Sequence, residues 1–166
     1  MLKLNFKAIL LNSVMFFTIF FIDRISKMYV ISIAELNNKV DVYLSPYLNL
    51  YLIWNKGIAF GFLSFDGSLI YNLISTIIAI IILVVLLLII KSKGIKRYSL
   101  IFVLGGAAGN LFDRIYYSAV PDFIDFHIGG YHWFIFNIAD IFITFGVICL
   151  ILLELMYKKR VKNEDN

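Results

Sequence analysis

Five aspartates are the residues of this chain best suited to chemistry. Asp23, Asp113 and Asp140 lie within or at the ends of apolar segments, and Asp122 and Asp125 lie between two such segments. An ionisable side chain inside a membrane-spanning segment costs about 2.5–3.5 kcal/mol, so it marks a candidate functional site. Two carboxyl groups held close together share a proton, because both cannot ionise cheaply. One of them can then take a proton from a water molecule while the other donates one.

Helix geometry predicts that these acids reach one depth. Asp23 and Asp113 each lie 16 residues beyond a basic residue at the opposite end of their segment. A helix covers that separation in roughly 24 Å. Asp140 stands at the start of the last apolar segment, and Asp122 and Asp125 precede it in a connection at the same end. We therefore expect these carboxyl groups to converge, with Asp122 and Asp140 as the strongest candidate for a catalytic pair.

Polar residues with helical spacing accompany the acids. Asn110, Asp113 and Arg114 are at positions i, i+3 and i+4, and Asn137 and Asp140 are three apart. Each set therefore shares a helix face. We expect Arg114 to pair with Asp113. Asn137 is either an orienting group or a simple helix cap.

The charged neighbours Asp23–Arg24 and Asp113–Arg114 also have a simpler interpretation. Charged side chains at helix ends often reach out to the membrane surface and anchor the helix there. In that case these pairs take no part in chemistry. The sequence alone leaves both interpretations open.

Metal binding is a competing use of the same region. His127 and His132 stand on either side of a glycine pair, with Asp122 and Asp125 nearby. The HExxH spacing that is typical of zinc peptidases is absent from the sequence. We therefore expect the two histidines to be polar strand residues, and we expect neither a metal ion nor another cofactor.

The composition predicts an integral membrane protein that is mainly α-helical. Of 166 residues, 61% are hydrophobic and 16% are charged, against about 45–50% and ~25% in soluble domains. This excludes a disordered chain, and the single cysteine, Cys149, excludes a disulfide-stapled module. The net charge of +4 is better explained by membrane topology than by nucleic-acid binding, which we do not expect.

Four segments are apolar enough to cross a membrane as helices, and their approximate bounds are 8–23, 69–90, 98–112 and 141–157. The first is expected to be a retained helix rather than a cleaved signal peptide, because charges directly follow its apolar stretch. Gly105 and Gly109 form a GxxxG pattern that permits close helix packing. We predict one four-span domain over 1–157 and a basic cytoplasmic tail over 158–166.

The basic residues predict the orientation in the membrane. Ten of the 15 basic residues fall on one side of a four-span arrangement, namely Lys3, Lys7, Lys91, Lys93, Lys96, Arg97, Lys158, Lys159, Arg160 and Lys162. Positive residues are enriched on the cytoplasmic side, so both termini are expected to be cytoplasmic.

The two longer connections are then expected on the outer side, where they predict a small β-sheet. Residues 47–54 have the composition and partial alternation of a strand. Residues 122–128 and 131–136 flank two glycines and predict a hairpin. We expect an extracytoplasmic β-cradle built from about 40–65 and 118–136.

Five sequence blocks, in this order, closely resemble the bacterial lipoprotein signal peptidase family, signal peptidase II. They are DRISK at 23–27, NKGIAFG at 55–61, GGAAGNLFDR at 105–114, VPDFID at 120–125 and FNIAD at 136–140. The resemblance covers nearly the whole chain, and the last three blocks are highly specific in combination. Two residues depart from the family pattern. Pro121 stands where a branched apolar residue is common, and Ile141 stands where a small polar residue is common.

The resemblance implies a four-helix membrane aspartyl endopeptidase with an outer β-cradle and with Asp122 and Asp140 as its catalytic pair. The supporting residues that it implies are Asp23, Lys27, Asn55, Gly57, Asn110, Asp113, Arg114 and Asn137. The implied substrate is a prolipoprotein whose cysteine carries diacylglycerol, cleaved just before that cysteine. The resemblance also implies inhibition by globomycin-type peptides. We further expect contact with membrane lipid and a monomer in the bacterial cytoplasmic (inner) membrane with its site near the outer face, although the GxxxG pattern leaves the oligomeric state open.

Two other classes of protein are compatible with acids inside helices. A proton-coupled carrier would also need them, although here they gather on one side instead of lining a path across the membrane. A structural subunit would use them as helix anchors, and changes from aspartate to asparagine would then affect assembly rather than chemistry.

Overall fold

The computed structural model describes residues 6–37, 39–57 and 68–164, which form four helices and four strands. In chain order these are α1 (Phe6–Asn37), β1 (Asp41–Ser45), β2 (Leu48–Asn55), α2 (Ser68–Lys91), α3 (Gly94–Tyr117), β3 (Val120–Ile128), β4 (Tyr131–Phe136) and α4 (Ile138–Glu164). The stretch of the predicted cradle between 58 and 65 lies outside the described residues.

The helices are longer than the predicted segments. α1 continues through the polar block at 23–27 to Asn37, because the charged side chains of that block are buried inside the protein. α3 has 24 residues, where the sequence predicted 98–112. α4 continues to Glu164, across most of the tail that was predicted for 158–166.

Within the described residues, three helical stretches are long and apolar enough to cross a membrane, and these are Phe6–Asn37, Tyr71–Lys91 and Ile138–Lys158. α3 is not among them, although its length would suffice. Its glycines, basic residues and polar face lower its hydropathy. α3 is instead the helix against which α1, α2 and α4 all pack. Three of the four predicted spans are therefore apolar enough to cross a membrane by this measure. They pack against α3, which is a more polar fourth helix.

Two apolar clusters hold the helices and the sheet together. In the first, Val85 of α2 packs against Leu100 and Leu104 of α3, and side chains from α1 and α4 complete the cluster. In the second, Val30 of α1 meets Phe123 of β3. The second cluster attaches the C-terminal part of α1 to the sheet, so α1 reaches from the helix bundle to the cradle.

The outer surface of the helices is apolar. Leu83, Leu87 and Ile90 of α2 are each 60% exposed. Contiguous exposed apolar surface of this kind is typical of contact with a membrane. This surface of α2 is therefore suited to contact with lipid.

The four strands form one antiparallel sheet in the order β1-β2-β3-β4. β2 covers nearly the predicted strand at 47–54, and β3 and β4 form the predicted hairpin. Gly129 and Gly130 at its turn have φ angles of 57° and 81°, which L-residues with side chains rarely adopt. β1 adds a further strand that the sequence pattern did not resolve.

An irregularity in the middle of β2 decides which of its side chains share a face with the acids of β3. Asn49 and Asn55 are six residues apart, so a regular strand would place both on one face. The pairing register shifts by one residue between them, and Asn49 pairs with Asp125 while Asn55 pairs with Val120. Asn55 consequently lies on the same face as Asp122, and Asn49 lies on the opposite face.

Pro121, which departs from the family pattern, lies opposite Trp54 of β2. β4 begins to pair with β3 only at Ile124. At Pro121 the strand has a neighbour on one side only, so the missing N–H of proline is compatible with the sheet.

The glycines of α3 allow its neighbours to approach closely. A Cβ at Gly106 would strike the backbone oxygen of Ala139 in α4 and lie 2.8 Å from Ile143 Cγ1, whereas a Cβ at Gly105 would meet the Ile19 side chain at 2.7 Å. We expect Gly106→Ala to lower the free energy of unfolding by about 1–3 kcal/mol, measured by thermal unfolding in detergent, because a helix backbone cannot move aside. Gly105→Ala is the matched control, with a smaller expected loss because a side chain can shift. Equal losses would contradict this explanation.

Candidate active site

Lys27 lies at the centre of a buried polar cluster between α1 and α3. Its Nζ atom donates to Asp23 Oδ2 at 2.8 Å, to Asn110 Oδ1 at 2.8 Å and to Asp113 Oδ2 at 2.7 Å. These three bonds use all the donors of an ammonium group. The side chains of Lys27, Asp23 and Asp113 have no exposed surface. The predicted convergence of acids from α1 and α3 is thus confirmed, and a lysine joins them.

The expected ion pair between Asp113 and Arg114 is wrong. Asp113 Oδ1 instead accepts a hydrogen bond from Arg24, and its other oxygen binds Lys27. Arg114 donates to the backbone oxygen of Gly57. The physical reason is that consecutive residues on a helix point in different directions. The interpretation of these charges as anchors at the membrane surface is also wrong, because Arg24 and Arg114 are buried.

Asn110 and Asp23 connect this cluster to the start of α4. Asn110 Nδ2 donates to Asp140 Oδ1 at 2.9 Å, while its oxygen accepts from Lys27. Asp23 Oδ1 accepts the backbone N–H of Ala139 at 2.9 Å. The first turn of α4, which carries Asp140, is therefore held in place by α1 and α3.

Asn137 contacts both members of the predicted catalytic pair. Its Nδ2 donates to Asp122 Oδ1 at 2.6 Å. Its backbone N–H donates to Asp140 Oδ2 at 3.2 Å, and its Oδ1 accepts the backbone N–H of Asp140 at 3.2 Å. Asn137 is fully buried. Asn137 therefore caps α4 and also hydrogen-bonds to both aspartates, so its position is compatible with both interpretations.

Asp122 reaches the same place from β3. Asn55 Nδ2 donates to its Oδ2 at 2.8 Å, and Asn55 Oδ1 accepts the Gly57 N–H at 2.8 Å. Burial raises the pKa of the Asp122 carboxyl to about 6, and the charge of Asp140 acts in the same direction. The hydrogen bonds from Asn55 and Asn137 oppose this rise in pKa. A carboxyl group with a pKa near the working pH both accepts and donates protons readily.

All ten residues named from the sequence belong to one connected network of hydrogen bonds and ion pairs, and these are Asp23, Lys27, Asn55, Gly57, Asn110, Asp113, Arg114, Asp122, Asn137 and Asp140. Two further contacts were not expected. Arg24 binds Asp113, and Tyr71 Oη donates to the backbone oxygen of Arg114 at 2.9 Å. Tyr71 stands alone at the start of an apolar segment, and nothing in the sequence pattern pointed to it.

An apolar groove runs along α4 from the site. Its volume is about 350 Å³, and its lining residues are Phe136, Asp140, Ile141, Thr144, Phe145 and Ile148. Asp140 and Ile148 are separated by roughly 12 Å along the helix axis. Ile141, the second departure from the family pattern, adds an apolar side chain to this groove beside Asp140.

The fold and the site together define a membrane protein of the enzyme class, with buried carboxyl groups and amides that open onto an apolar groove. A family model described as "Signal peptidase (SPase) II" matches residues 15–156. The chain belongs to the signal peptidase II family.

Relatives and solved structures agree with this assignment. The lipoprotein signal peptidase of Pelagibacter ubique (strain HTCC1062) is 52% identical over 164 residues, which is 99% of each chain. That of Anaplasma phagocytophilum (strain HZ) is 38% identical over 84% of this chain and 88% of its own length.

Two solved structures described as bacterial membrane enzymes have TM-scores of 0.70 and 0.69, with 27% and 31% identity. The first match covers 90% of this chain and 90% of the solved chain. The second covers 87% of this chain and 92% of the solved chain. The chain is accordingly a bacterial membrane protein of a peptidase family.

Proposed function

We propose that this chain is an aspartyl endopeptidase that removes the signal peptide from diacylglyceryl-modified prolipoproteins. Cleavage falls just before the lipidated cysteine. The observation that carries the proposal is that Asn137 holds Asp122 and Asp140, from two different elements, in one buried site. The substrate class is supported by the relatives in Pelagibacter and Anaplasma, which are named lipoprotein signal peptidases.

In the proposed mechanism a water molecule between Asp122 and Asp140 is the nucleophile. One carboxylate takes a proton from this water molecule. At the same time the oxygen of the water bonds to the carbonyl carbon of the residue before the cysteine. The other, protonated, carboxyl group donates its proton to the leaving amine as the C–N bond breaks. No covalent enzyme intermediate is required, and the cycle ends with one proton again shared by the pair.

The supporting cluster keeps its own charge balanced. The two carboxylates of Asp23 and Asp113 are matched by the two cations of Lys27 and Arg24. The pair itself is proposed to carry one proton and one negative charge, which is the state that acid–base catalysis needs.

The substrate is proposed to lie along two features beside the pair. β4 is an edge strand of the sheet within the described residues, and it leads directly into Asn137. An extended peptide can add to such an edge through backbone hydrogen bonds. The apolar groove along α4 is suited to the lipid-modified or membrane-embedded part of the substrate. The scissile bond would then lie at the membrane surface.

The proposed orientation keeps the basic ends of the helices in the cytoplasm and the sheet outside the inner membrane, with α3 as a fourth span. The positive-inside rule supports it, because ten basic residues share one side. A cysteine introduced at Tyr131, which is 69% exposed, in a Cys149→Ala background should react with a membrane-impermeant maleimide in intact cells. A cysteine at the exposed Lys93 should react only after lysis, and the reverse pattern would reject this orientation.

The proposed function is tested by cleavage of a purified diacylglyceryl prolipoprotein in detergent or liposomes. We expect one cut before the modified cysteine, and we expect a globomycin-type inhibitor to suppress it. The unmodified precursor is the matched control and should remain uncut. Equal cleavage of both precursors would reject the requirement for lipid, and no cleavage of either would reject the function.

The pKa of Asp122 makes activity dependent on pH in a direction that Asn55 controls. If Asp122 holds the shared proton, kcat/KM falls as the pH rises through about 6. Removing a donor to a carboxylate raises the pKa of its acid. We therefore expect Asn55→Ala to move the alkaline limb of the kcat/KM profile to higher pH, with Asn72→Ala on the exposed face of α2 as the control. A shift of the acid limb instead would make Asp122 the base.

A further inference from the structure

A second polar cluster lies on the face of the sheet opposite to Asp122. It consists of Asp125, His127 and His132, whose ligand atoms all lie within 4.8 Å of one another. His132 Nδ1 is 2.7 Å from Asp125 Oδ2, and His127 Nδ1 is 3.6 Å from the same oxygen. Neither histidine takes part in the hydrogen-bond network of the candidate active site.

A register irregularity in the hairpin assembles this cluster. Phe126 pairs with Phe134, so a regular hairpin would place Trp133 opposite His127. The observed partner of His127 is His132, because the register shifts by one residue at this point. The shift brings His132 onto the face that carries His127 and Asp125.

Three buried polar atoms in or beside this cluster lack hydrogen-bond partners. Within the described residues, five buried side-chain nitrogen or oxygen atoms have no hydrogen-bond partner, and two of them belong to Arg114. The other three are Asn49 Oδ1, Asp125 Oδ1 and His127 Nδ1. Asn49 pairs with Asp125 across the strands, so all three lie on one face. Asp125 is 1% exposed, and a buried carboxylate oxygen without a donor is costly.

We propose that Asp125, His127 and His132 bind a divalent transition-metal ion of the zinc class. Two imidazole nitrogens and a carboxylate oxygen are a common ligand set for Zn²⁺, with water at the fourth position. The side chain of His132 is 58% exposed, which gives an ion access from solvent. Asn49 Oδ1 can accept a hydrogen bond from the bound water. The ion links β3 to β4, because Asp125 and His127 belong to β3 and His132 belongs to β4. Its ligand Asp125 is three residues after Asp122 in β3.

A metal ion at this place differs from the expectation of no metal, which rested on the absence of HExxH. That spacing places two histidines on one face of a helix. Here the ligands come from two paired strands, and a change of register rather than a sequence interval brings them together. The site has a clamping role that is separate from the cleavage chemistry proposed above.

Zn²⁺ binding to the purified full chain in detergent, measured by competition with a fluorescent chelator, tests the site. We expect one high-affinity Zn²⁺ per chain and an affinity at least about tenfold weaker in His132→Ala and in His127→Ala, since even an outer-shell partner of a ligand is worth 10–100-fold. Tyr131→Ala, at an exposed neighbouring position in β4, is the matched control and should bind as the unmodified chain does. Zn²⁺ should also raise the Tm of the unmodified chain but not that of His132→Ala.

A measurement of coordination separates binding from a purely structural role of the histidines. In the Cu²⁺-loaded chain, electron paramagnetic resonance should detect two imidazole nitrogens, and His132→Ala should show one. Unchanged Zn²⁺ affinity in both histidine variants, or no stoichiometric Zn²⁺ binding by the unmodified chain, would overturn the proposal. Because these readouts do not use peptidase activity, their failure is distinguishable from failure of the proposed function.

Discussion

Asp122→Asn or Asp140→Asn is expected to lower kcat for prolipoprotein cleavage by about 10²–10⁴-fold or more. Each change removes a group that both accepts and donates a proton, while the shape of the side chain is kept. The two variants should lose activity to a similar degree, because the water is activated by the pair and not by either residue alone. Single-turnover cleavage of a purified diacylglyceryl precursor measures the effect.

The variants should remain folded, which is what makes this experiment informative. Burial raises the pKa of Asp122 to about 6, so ionisation of this carboxyl is less favourable in the folded protein than in the unfolded chain, and its negative charge does not stabilise the fold. In Asp122→Asn the new side-chain amide meets the donors Asn55 and Asn137, which costs about 1–3 kcal/mol if one donor is left unpaired. Thermal unfolding should detect a loss of this size and no more.

A matched control is an aspartate of the same sheet that lies away from the site. Asp41 of β1 is half exposed, with Lys39 as its ion-pair partner. Asp41→Asn should leave the rate of cleavage unchanged. Normal cleavage by Asp122→Asn or Asp140→Asn would refute the pairing, and loss of assembly without loss of chemistry would favour a structural role for these acids.

Lys27→Met is expected to reduce the free energy of unfolding by about 3–5 kcal/mol. Lys27 is the shared partner of Asp23 and Asp113, and all three side chains are fully buried. Methionine fills similar space but leaves two carboxylates beside each other with one cation, Arg24, in contact with Asp113. Removing one partner of a buried ion pair is costly because the remaining charge is neither solvated nor neutralised. Thermal or denaturant unfolding in a mild detergent measures the loss.

Two comparisons make this prediction specific. Lys39→Met breaks an ion pair of similar length, 2.7 Å, in which the lysine is 63% and Asp41 50% exposed, and it should cost far less than Lys27→Met because water screens exposed charges. Adding Asp23→Asn to Lys27→Met should recover part of the loss, because it removes an uncompensated charge and leaves an oxygen for the Ala139 N–H. Equal costs for Lys27→Met and Lys39→Met would contradict the assignment of Lys27 as the electrostatic centre of the site.

Local features of the fold were predictable because they depend on residues close in the chain. The apolar segments, the hairpin at Gly129-Gly130 and the cap at Asn137 all follow from helix or strand periodicity or from local turn and cap preferences. The convergence of Asp23, Asp113 and Asp140 was predictable as well, since the rise per residue of a helix converts sequence separation into depth. The expectation was wrong for Asp125, which lies on the face of the sheet opposite to Asp122 because neighbouring strand residues alternate between faces.

The partners of the charged side chains were not predictable in the same way. Asp113 has Arg114 next to it in sequence, yet its partners Arg24 and Lys27 are 89 and 86 residues away. Which residues meet across helices depends on how the glycines of α3 let α1 and α4 approach, and that packing is a property of the whole bundle. The continuation of α1 and α3 beyond the predicted segments was not predictable for a related reason, since Arg24, Lys27, Asp113 and Arg114 are buried inside the protein and not exposed to lipid.

The sequence by itself determined that this is a membrane protein of the signal peptidase II family and identified ten residues of its polar site. The tertiary structure alone decided how those residues are connected and which face of the sheet each strand residue occupies. The physical reason is that a register shift of one residue exchanges the two faces of a strand. Such shifts, in β2 and β4, place Asn55 beside Asp122 and His132 beside Asp125.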